Sequence, residues 1–262
     1  MAKGECSPFL HSTEFKKAVE GYIERGVEML RSIILTVVCL TLISTMAYAG
    51  GEDAKKGGGA GGFIFGANRV DFGGLNDKLK AKGFEELEAG NVLLGGGGYG
   101  IVGDKLLLGG EGAGFSQDIS SDTLKASVGG GYGFFDVGYV VYSKGGLRVF
   151  PLLGIGGGGI SLKIAEKGDV PTFDQVLDDP GREVRLSAGG FLFQLALGVD
   201  YFIPVGGDEN GKGGLFFGLR AGYVFSPAKA DWKMEDRDVL GGPDVRLTGP
   251  YVCLMFGGVG GR

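Results

Sequence analysis

The chain has 262 residues, with 26 basic and 31 acidic side chains and a formal net charge of −5. No basic patch stands out, so the charge pattern predicts no nucleic-acid partner. The chain has 56 glycines but not the three-residue glycine period with abundant proline that collagen requires, so a collagen fold is excluded.

Residues 1–49 are predicted to be a signal region. An uncharged apolar run covers 32–46, with Arg31 before it and the small-residue sequence AYA at 47–49 after it. This arrangement is typical of a secretory signal peptide, and cleavage is expected after Ala49. Met29 offers an alternative start that gives a compact signal. The other interpretation is an uncleaved membrane anchor, although the run is shorter than the roughly 18 apolar residues of a spanning helix.

Cleavage after Ala49 would remove His11, the only histidine, together with Cys6 and Cys39. Residues 50–262 would then hold a single cysteine, Cys253, and could form no intramolecular disulfide. Activation of a nucleophile by histidine and histidine-ligated metal sites would both be unavailable. We therefore predict that the protein is not an enzyme and carries no cofactor or metal.

Residues 50–61 form a predicted linker rich in glycine and lysine, and residues 62–262 a predicted β-barrel domain. Eight strand candidates follow one another in this domain, each a short apolar or alternating segment bounded by turn residues. They cover 62–72, 91–102, 105–116, 123–134, 147–163, 184–203, 214–226 and 246–259.

The segment 191–203 has two different faces. Its odd positions carry large apolar residues, whereas its even positions include Gln194, Ala196, Gly198 and Asp200. Side chains alternate between the faces of a strand, so one face is apolar and the other small or polar. The segment also exceeds the roughly 9–11 residues that a tilted strand needs to cross a bilayer. This pattern predicts a lipid-facing barrel wall.

The segment 214–225 repeats the pattern and places Arg220 on the polar side. A charge there is acceptable toward a polar lumen but costly toward lipid. Aromatic residues lie near the ends of both apolar faces, where membrane barrels carry their interfacial girdles. The predicted membrane-interface aromatics are Phe191, Phe193, Tyr201, Tyr223 and Phe225.

A polar network is predicted in the lumen. Asp200 and Arg220 each lie ten residues from Asn210, so pairing symmetrical about that turn would make them direct neighbours. Glu111, Arg148 and Gln194 could extend the network. It could act as a polar gate for small solutes or as a structural plug. The plug is favoured because about eight strands leave little open lumen.

The links between strands differ in length. Those at 73–90, 164–183 and 227–245 are long and charged, and all fall at one end of the barrel, which is expected to be external. Turns at 103–104 and 206–213 are short, and 73–90 could form an amphipathic helix. The segment 117–122 is short for the external end. The segment 135–146 is long for a periplasmic turn and could be a further strand.

Two other motifs have ordinary explanations. The segments 95–100 and 154–159 match the glycine fingerprint of dinucleotide sites, but strand-like sequence follows each, where that fold requires a helix. Acidic residues in the long links could bind Ca²⁺, yet their spacing matches no EF-hand. Solvated loops are the default interpretation of these links.

The alternating strands and the signal-like start resemble the small outer-membrane β-barrel proteins of the OmpA, OmpX and OmpW kind. The resemblance covers most of 62–259 and consists of pattern, without a specific motif. It implies an antiparallel up-and-down barrel, insertion by the outer-membrane assembly machinery, and outer-membrane lipid and lipopolysaccharide as neighbours. Such barrels usually end on an aromatic residue, whereas here the glycine-rich 257–262 follows YVCLMF at 251–256.

The predicted function is that of a non-enzymatic outer-membrane β-barrel with a structural, adhesive or small-solute transport role. The alternative is a soluble periplasmic or secreted barrel that binds an apolar ligand, as lipocalins do, with its apolar faces turned inward. Alternation alone does not distinguish the two. The length and aromatic ends of 191–203 favour lipid on the outside.

Overall fold

The computed structural model describes residues 58–103, 105–168, 172–178, 183–205, 213–235 and 237–260. The predicted signal region, most of the linker and the turn at 206–212 lie outside these residues. The domain division made from the sequence therefore stays a prediction. Within the described residues, no helix is long and apolar enough to cross a membrane.

The described residues form eleven strands and two short helices. The helices are α1 (Gly73–Lys80) and α2 (Phe173–Asp178). The strands in chain order are β1 (Gly59–Arg69), β2 (Gly90–Val102), β3 (Leu106–Ser120), β4 (Leu124–Tyr139), β5 (Tyr142–Lys144), β6 (Leu147–Glu166), β7 (Glu183–Pro204), β8 (Gly213–Phe225), β9 (Lys233–Met234), β10 (Arg237–Asp238) and β11 (Gly249–Gly260).

Eight of these strands close into an antiparallel barrel. Around the ring the order is β1, β2, β3, β4, β6, β7, β8 and β11, and β11 pairs with β1 again. Each strand pairs with its neighbour in sequence, apart from the short additions β5, β9 and β10. The predicted all-β, up-and-down architecture of about eight strands is confirmed.

The strands turn their large apolar side chains outward. On β7, Phe191 is 59% exposed and Ile203 is 40% exposed, whereas Leu192, Gln194 and Asp200 on the alternate positions are buried. The other ring strands follow the same alternation, with buried residues facing the lumen. The apolar outer surface distinguishes this barrel from one built to hold an apolar ligand in water, which would turn polar side chains outward.

The ends of the barrel agree with the predicted sides in most respects. The long links 70–89, 167–182 and 226–248 join strands at one end, which also holds the tight turn 121–123. The β2–β3 and β7–β8 links lie at the other end, together with the start of β1 and the end of β11. The segment 135–146 is the end of β4 followed by β5. Because β5 pairs only with β6, the ring keeps eight strands.

The link 70–89 folds over the loop end of the barrel and forms a cap. It contains α1, so the predicted amphipathic helix in this link is confirmed. Leu75 and Leu79 on α1 are buried, as are Phe84 and Leu87 after it. The ring of Phe72, just before α1, lies 6.3 Å from that of the inward residue Phe115, measured between centroids. The apolar core of the cap is therefore continuous with the barrel interior.

Candidate functional site

A layer of buried polar side chains crosses the lumen. Glu111 on β3, Asp136 on β4, Gln194 on β7 and Arg220 on β8 are each at most 7% exposed. All four occupy inward positions, because they alternate with outward apolar residues on their strands. Buried polar groups are costly unless they are hydrogen-bonded, so their partners decide what this layer can do.

Gln194 lies at the centre of the layer. Its Nε2 donates hydrogen bonds to Glu111 Oε1 at 3.1 Å and to Asp136 Oδ1 at 2.7 Å. Its Oε1 accepts a hydrogen bond from the Tyr251 hydroxyl at 2.9 Å. Arg220 Nη1 forms an ion pair with the other oxygen of Glu111. The amide thus uses both its donors and its acceptor to join β3, β4, β7 and β11.

A second polar group surrounds Asp200, which is fully buried. The Tyr99 hydroxyl on β2 donates a hydrogen bond to Asp200 Oδ2. Arg148 on β6 lies directly opposite Asp200 in the strand register and is half-buried. The Arg148 guanidinium lies 4.2 Å from the centroid of the Phe202 ring, a favourable cation–π distance.

The register between β7 and β8 differs from the expected one. Asp200 lies opposite Gly218, and Arg220 lies opposite Gly198. The expected direct pairing of Asp200 with Arg220 is therefore wrong. The pairing is centred one residue before Asn210, which moves the two charges to diagonal positions. Arg220 instead takes Glu111 from β3 as its partner, across the lumen.

Four further lumen residues were not predicted from the sequence. Asp136 was missed because the strand candidate 123–134 ended before it, although β4 continues to Tyr139. Tyr99 and Tyr132 lie in glycine-rich segments whose facing the alternation left undecided. Tyr251 had been counted only among the aromatics near the end of the chain. The strand registers place Tyr99 and Tyr132 on the same inward face as Glu111, and this shared face is the signal that could have identified them.

The lumen layer brings together side chains of opposite charge. Three carboxylates, on Glu111, Asp136 and Asp200, meet the buried Arg220 and the half-buried Arg148. Among the described residues, no group of three or more His, Cys, Asp or Glu side chains could hold a metal ion. The polar side chains mainly bind one another, so the arrangement has the properties of a plug.

Two side-chain amides hold the segment 87–88, one from within the cap and one from the barrel strand β3. Asn76 Nδ2 donates to the Leu87 carbonyl at 3.0 Å, and the Leu87 N–H donates back to Asn76 Oδ1 at 2.9 Å. Gln117 does the same with the next residue, Glu88, at 2.7 and 2.9 Å. Each side-chain amide donates one hydrogen bond to the backbone of 87–88 and accepts one from it, as the backbone of a paired strand would. Asn76 does so from the cap and Gln117 from β3.

The link 226–248 completes the cap. Trp232 is buried, and its Nε1 donates to the Pro243 carbonyl at 2.8 Å, so the sole tryptophan serves loop packing. Asp244 forms ion pairs with Arg246 and Lys229, and hydrogen bonds from these cations hold the pKa of the Asp244 carboxyl below its usual range. An isolated antiparallel β-bridge between the backbones of Asp71 and Arg246 connects this link to 70–89.

The predicted interface aromatics all point away from the lumen. Phe191, Phe193, Tyr201, Tyr223 and Phe225 are between 40% and 59% exposed. Phe193 lies opposite Phe225 in the register, and the rings of Tyr223 and Phe225 are 4.8 Å apart. Their role at a membrane interface stays a prediction.

Comparison with known proteins adds structural likenesses at low identity. No protein-family model and no curated protein matches the chain. Among solved structures, Ail, the attachment invasion locus protein of Yersinia pestis, is similar at 14% identity with a TM-score of 0.42, covering 78% of this chain and 99% of that one. Ail in complex with the heparin analogue sucrose octasulfate is similar at 12% identity with a TM-score of 0.41, and the match covers 78% of this chain and 99% of that one. The outer membrane protein OprG from Pseudomonas aeruginosa is similar at 14% identity with a TM-score of 0.42, and the match covers 79% of this chain and 96% of that one.

Proposed function

We propose that this chain is a non-enzymatic outer-membrane β-barrel protein with a sealed lumen and a structural or adhesive role. The observation that carries the proposal is the outward apolar belt. At about 3.3 Å per residue and a tilt of about 45°, β7 from Phe191 to Ile203 rises about 28 Å. That height matches the apolar band of membrane barrels, which is about 25 Å.

The belt reaches every ring strand, although outward glycines interrupt it and β3 contributes only Leu106 as an exposed large apolar residue. A few isolated exposed residues would need no explanation, whereas a band shared by eight strands does. Its members beyond β7 include Phe63, Phe65, Val92, Leu94, Leu106, Phe135, Val137, Leu153, Ile155, Leu215, Phe217, Leu219, Tyr223, Phe225, Val252, Leu254 and Phe256. Contact with lipid acyl chains would keep this apolar surface out of water.

The lumen and the cap favour a structural or adhesive role over solute transport. The network around Gln194 joins four strands across the lumen, and the cap from 70–89 covers the loop end. A solute would have to break both. The loop end also carries the long charged links, so it is the part that a partner outside the membrane would contact.

The last strand supports insertion by the outer-membrane assembly machinery. β11 pairs with β8 on one side and β1 on the other, and it presents Val252, Leu254 and Phe256 outward. Lipopolysaccharide and other outer-membrane lipid would then surround the belt.

The test is to express the full chain in a Gram-negative host, fractionate the cells and run the outer membrane on SDS gels with and without boiling. A heat-modifiable band in the outer-membrane fraction is the expected result, because folded membrane barrels resist SDS until heated. A soluble periplasmic protein without a heat shift would contradict the proposal and favour the ligand-binding barrel.

A further inference from the structure

One sector of the outer belt lacks large side chains. On β3, β4, β6 and β7, two neighbouring rows of outward positions toward the loop end consist almost entirely of glycine. In one row Gly112, Gly133 and Gly157 lie side by side, and Phe191 ends it. In the next row all four positions are glycine, and the seven glycines together are called the glycine wall: Gly112, Gly114, Gly131, Gly133, Gly157, Gly159 and Gly189.

The barrel geometry leaves room for a side chain at two of these positions. A Cβ added to Gly133 would meet its nearest atom at 3.8 Å, and one added to Gly157 at 3.4 Å. The contacts are tighter at Gly112 and Gly131, at 3.3 Å, and a Cβ on Gly159 would approach the Ala188 carbonyl oxygen to 2.6 Å. Crowding therefore explains part of the wall but not Gly133 or Gly157. Next to Phe135, Ile155 and Phe193, the wall is a shallow depression one side chain deep.

Hydroxyl groups and cations follow the glycine wall toward the loops. The next row contains Ser116, Ser161 and Ser187, and Lys233 on β9 pairs with Ser187. The row after that places Ser127, Lys163 and Arg185 side by side. Opposing residues of an antiparallel pair share a face with Cβ atoms about 5 Å apart, so these groups can converge on one ligand. We call them the headgroup site: Ser127, Ser161, Lys163, Arg185, Ser187 and Lys233.

Carboxylates also lie near the headgroup site. Glu183 is 2.8 Å from the Lys163 ammonium, and Asp238 is 3.9 Å from that of Lys233. Asp118 lies opposite Ser127, while Lys125 lies one row further toward the loops. Cations still outnumber carboxylates here, four to three. Arg185 adds a planar fork of donors that suits phosphate.

We propose that the glycine wall and the headgroup site together bind one phosphorylated, multiply acylated glycolipid of the outer leaflet. The acyl chains lie against the glycine wall. The phosphate contacts Lys163, Arg185 and Lys233, and the serine hydroxyls bond to the sugar. The inference rests on the proposed function, because the glycine wall is continuous with the belt that lipid covers.

The experiment uses the full chain folded in phosphatidylcholine nanodiscs that contain purified diphosphoryl lipid A, with bound lipid A counted by native mass spectrometry. The double variant K163S/R185S should bind it about 30-fold more weakly, since each surface cation contributes about 1 kcal/mol to anionic lipid binding. The control K105S/K144S, which removes two exposed lysines at the other end of the barrel, should bind as the parent does. Parental affinity in K163S/R185S would overturn the proposal.

Two further arms test the two parts of the ligand separately. Lipid A without phosphates should bind the parent protein as weakly as the phosphorylated lipid binds K163S/R185S, and equal binding of both lipids would refute a phosphate site. Filling the depression in G131L/G157L should lower the affinity for phosphorylated lipid A, and unchanged affinity would refute the acyl contact. Should G131L/G157L fail to fold, G131A/G133A provides the same test with smaller side chains.

The heat shift on SDS gels is measured first for the parent protein. A parent that fails to insert would contradict the proposed function itself. A parent that inserts but does not prefer phosphorylated lipid A would contradict only this inference.

Discussion

Among single residues, Gln194 and Arg220 have the largest effect on how the lumen is filled. Gln194 connects two carboxylates and a tyrosine, and Arg220 neutralises one of those carboxylates, Glu111. Removing one member of a buried pair leaves an uncompensated charge, which costs more than the pair itself contributes. The lumen layer should therefore respond to single substitutions more strongly than to paired ones.

The ion pair of Arg220 with Glu111 provides the first prediction. R220M should lower the free energy of unfolding by about 3–5 kcal/mol, because it leaves Glu111 charged and buried. The double variant R220M/E111Q should recover part of that loss, since position 111 no longer carries a buried charge, while Asp136 and Asp200 stay buried without Arg220. Urea unfolding of the protein in lipid vesicles measures both values. A denaturation midpoint that does not move in R220M would show that the pair does not contribute to stability.

The glycines of the barrel wall provide the second prediction. G156A should prevent folding, because the new Cβ would overlap with the carbonyl oxygen of Gly133 on the neighbouring strand. G133A is the matched control, since its Cβ would point outward with nothing closer than 3.8 Å. The heat-modifiable fraction on SDS gels measures both. Equal folding of the two variants would contradict the crowding explanation.

At the level of structural elements, the cap is joined to β3 by the side-chain amide of Gln117 and by a backbone hydrogen bond from the Glu85 N–H to the Ser120 carbonyl. The upper parts of β2 and β3 separate, since their pairing begins only at Leu94 and Gly114. Gln117 fills the gap by bonding to Glu88 as a strand would. Amides do not titrate, so this attachment is expected to persist over a wide pH range.

The third prediction concerns this attachment. Q117L should speed hydrogen exchange of the Glu88 amide by about 5- to 150-fold, because its hydrogen bond to the Gln117 side chain, which stabilises the closed state by about 1–3 kcal/mol, is lost. Exchange followed by mass spectrometry would show it in peptides from 84–91. The control Q175L changes an exposed glutamine of α2 and should leave that region unaffected. Unchanged exchange in Q117L would mean that the cap is held by its apolar core alone.

For the whole molecule, the belt, the filled lumen and the cap support the proposal of a barrel that anchors in a membrane without forming an open pore. The outer surface is apolar at mid-height, and the buried charges are confined to the lumen. An eight-stranded barrel is just wide enough for its own side chains to fill it. The strand number thus sets the interior space, and inward apolar side chains such as Phe150 and Phe216 fill that space together with the polar layer.

The fourth prediction follows from the sealed lumen. The folded protein in planar lipid bilayers should give no stable ohmic conductance steps at neutral pH, because both the polar layer and the cap block the path. Single-channel recording on protein whose heat shift has been verified measures this. Stable, reproducible steps would contradict the plug and favour the transport role.

The sequence by itself determined the fold class, because alternation with a period of two is a local property of each strand. The pattern of 191–203 and 214–225 correctly predicted outward apolar faces, and link lengths correctly predicted the loop end. The same parity places Gln194, Asp200 and Arg220 on the inward side, where the structure buries them.

Only the tertiary structure decided which of these residues meet. The partner of Arg220 is set by the register between strands and by curvature across the lumen. The register is shifted from the symmetrical pairing about Asn210, so Arg220 pairs with Glu111 and not with Asp200. The glycine-rich strands β2, β4 and β6 alternate too weakly to reveal their facing, so Asp136, Tyr99 and the glycine wall emerged only once neighbouring strands fixed their rows. Contacts between strands depend on register, and register is a property of the closed ring rather than of any single segment.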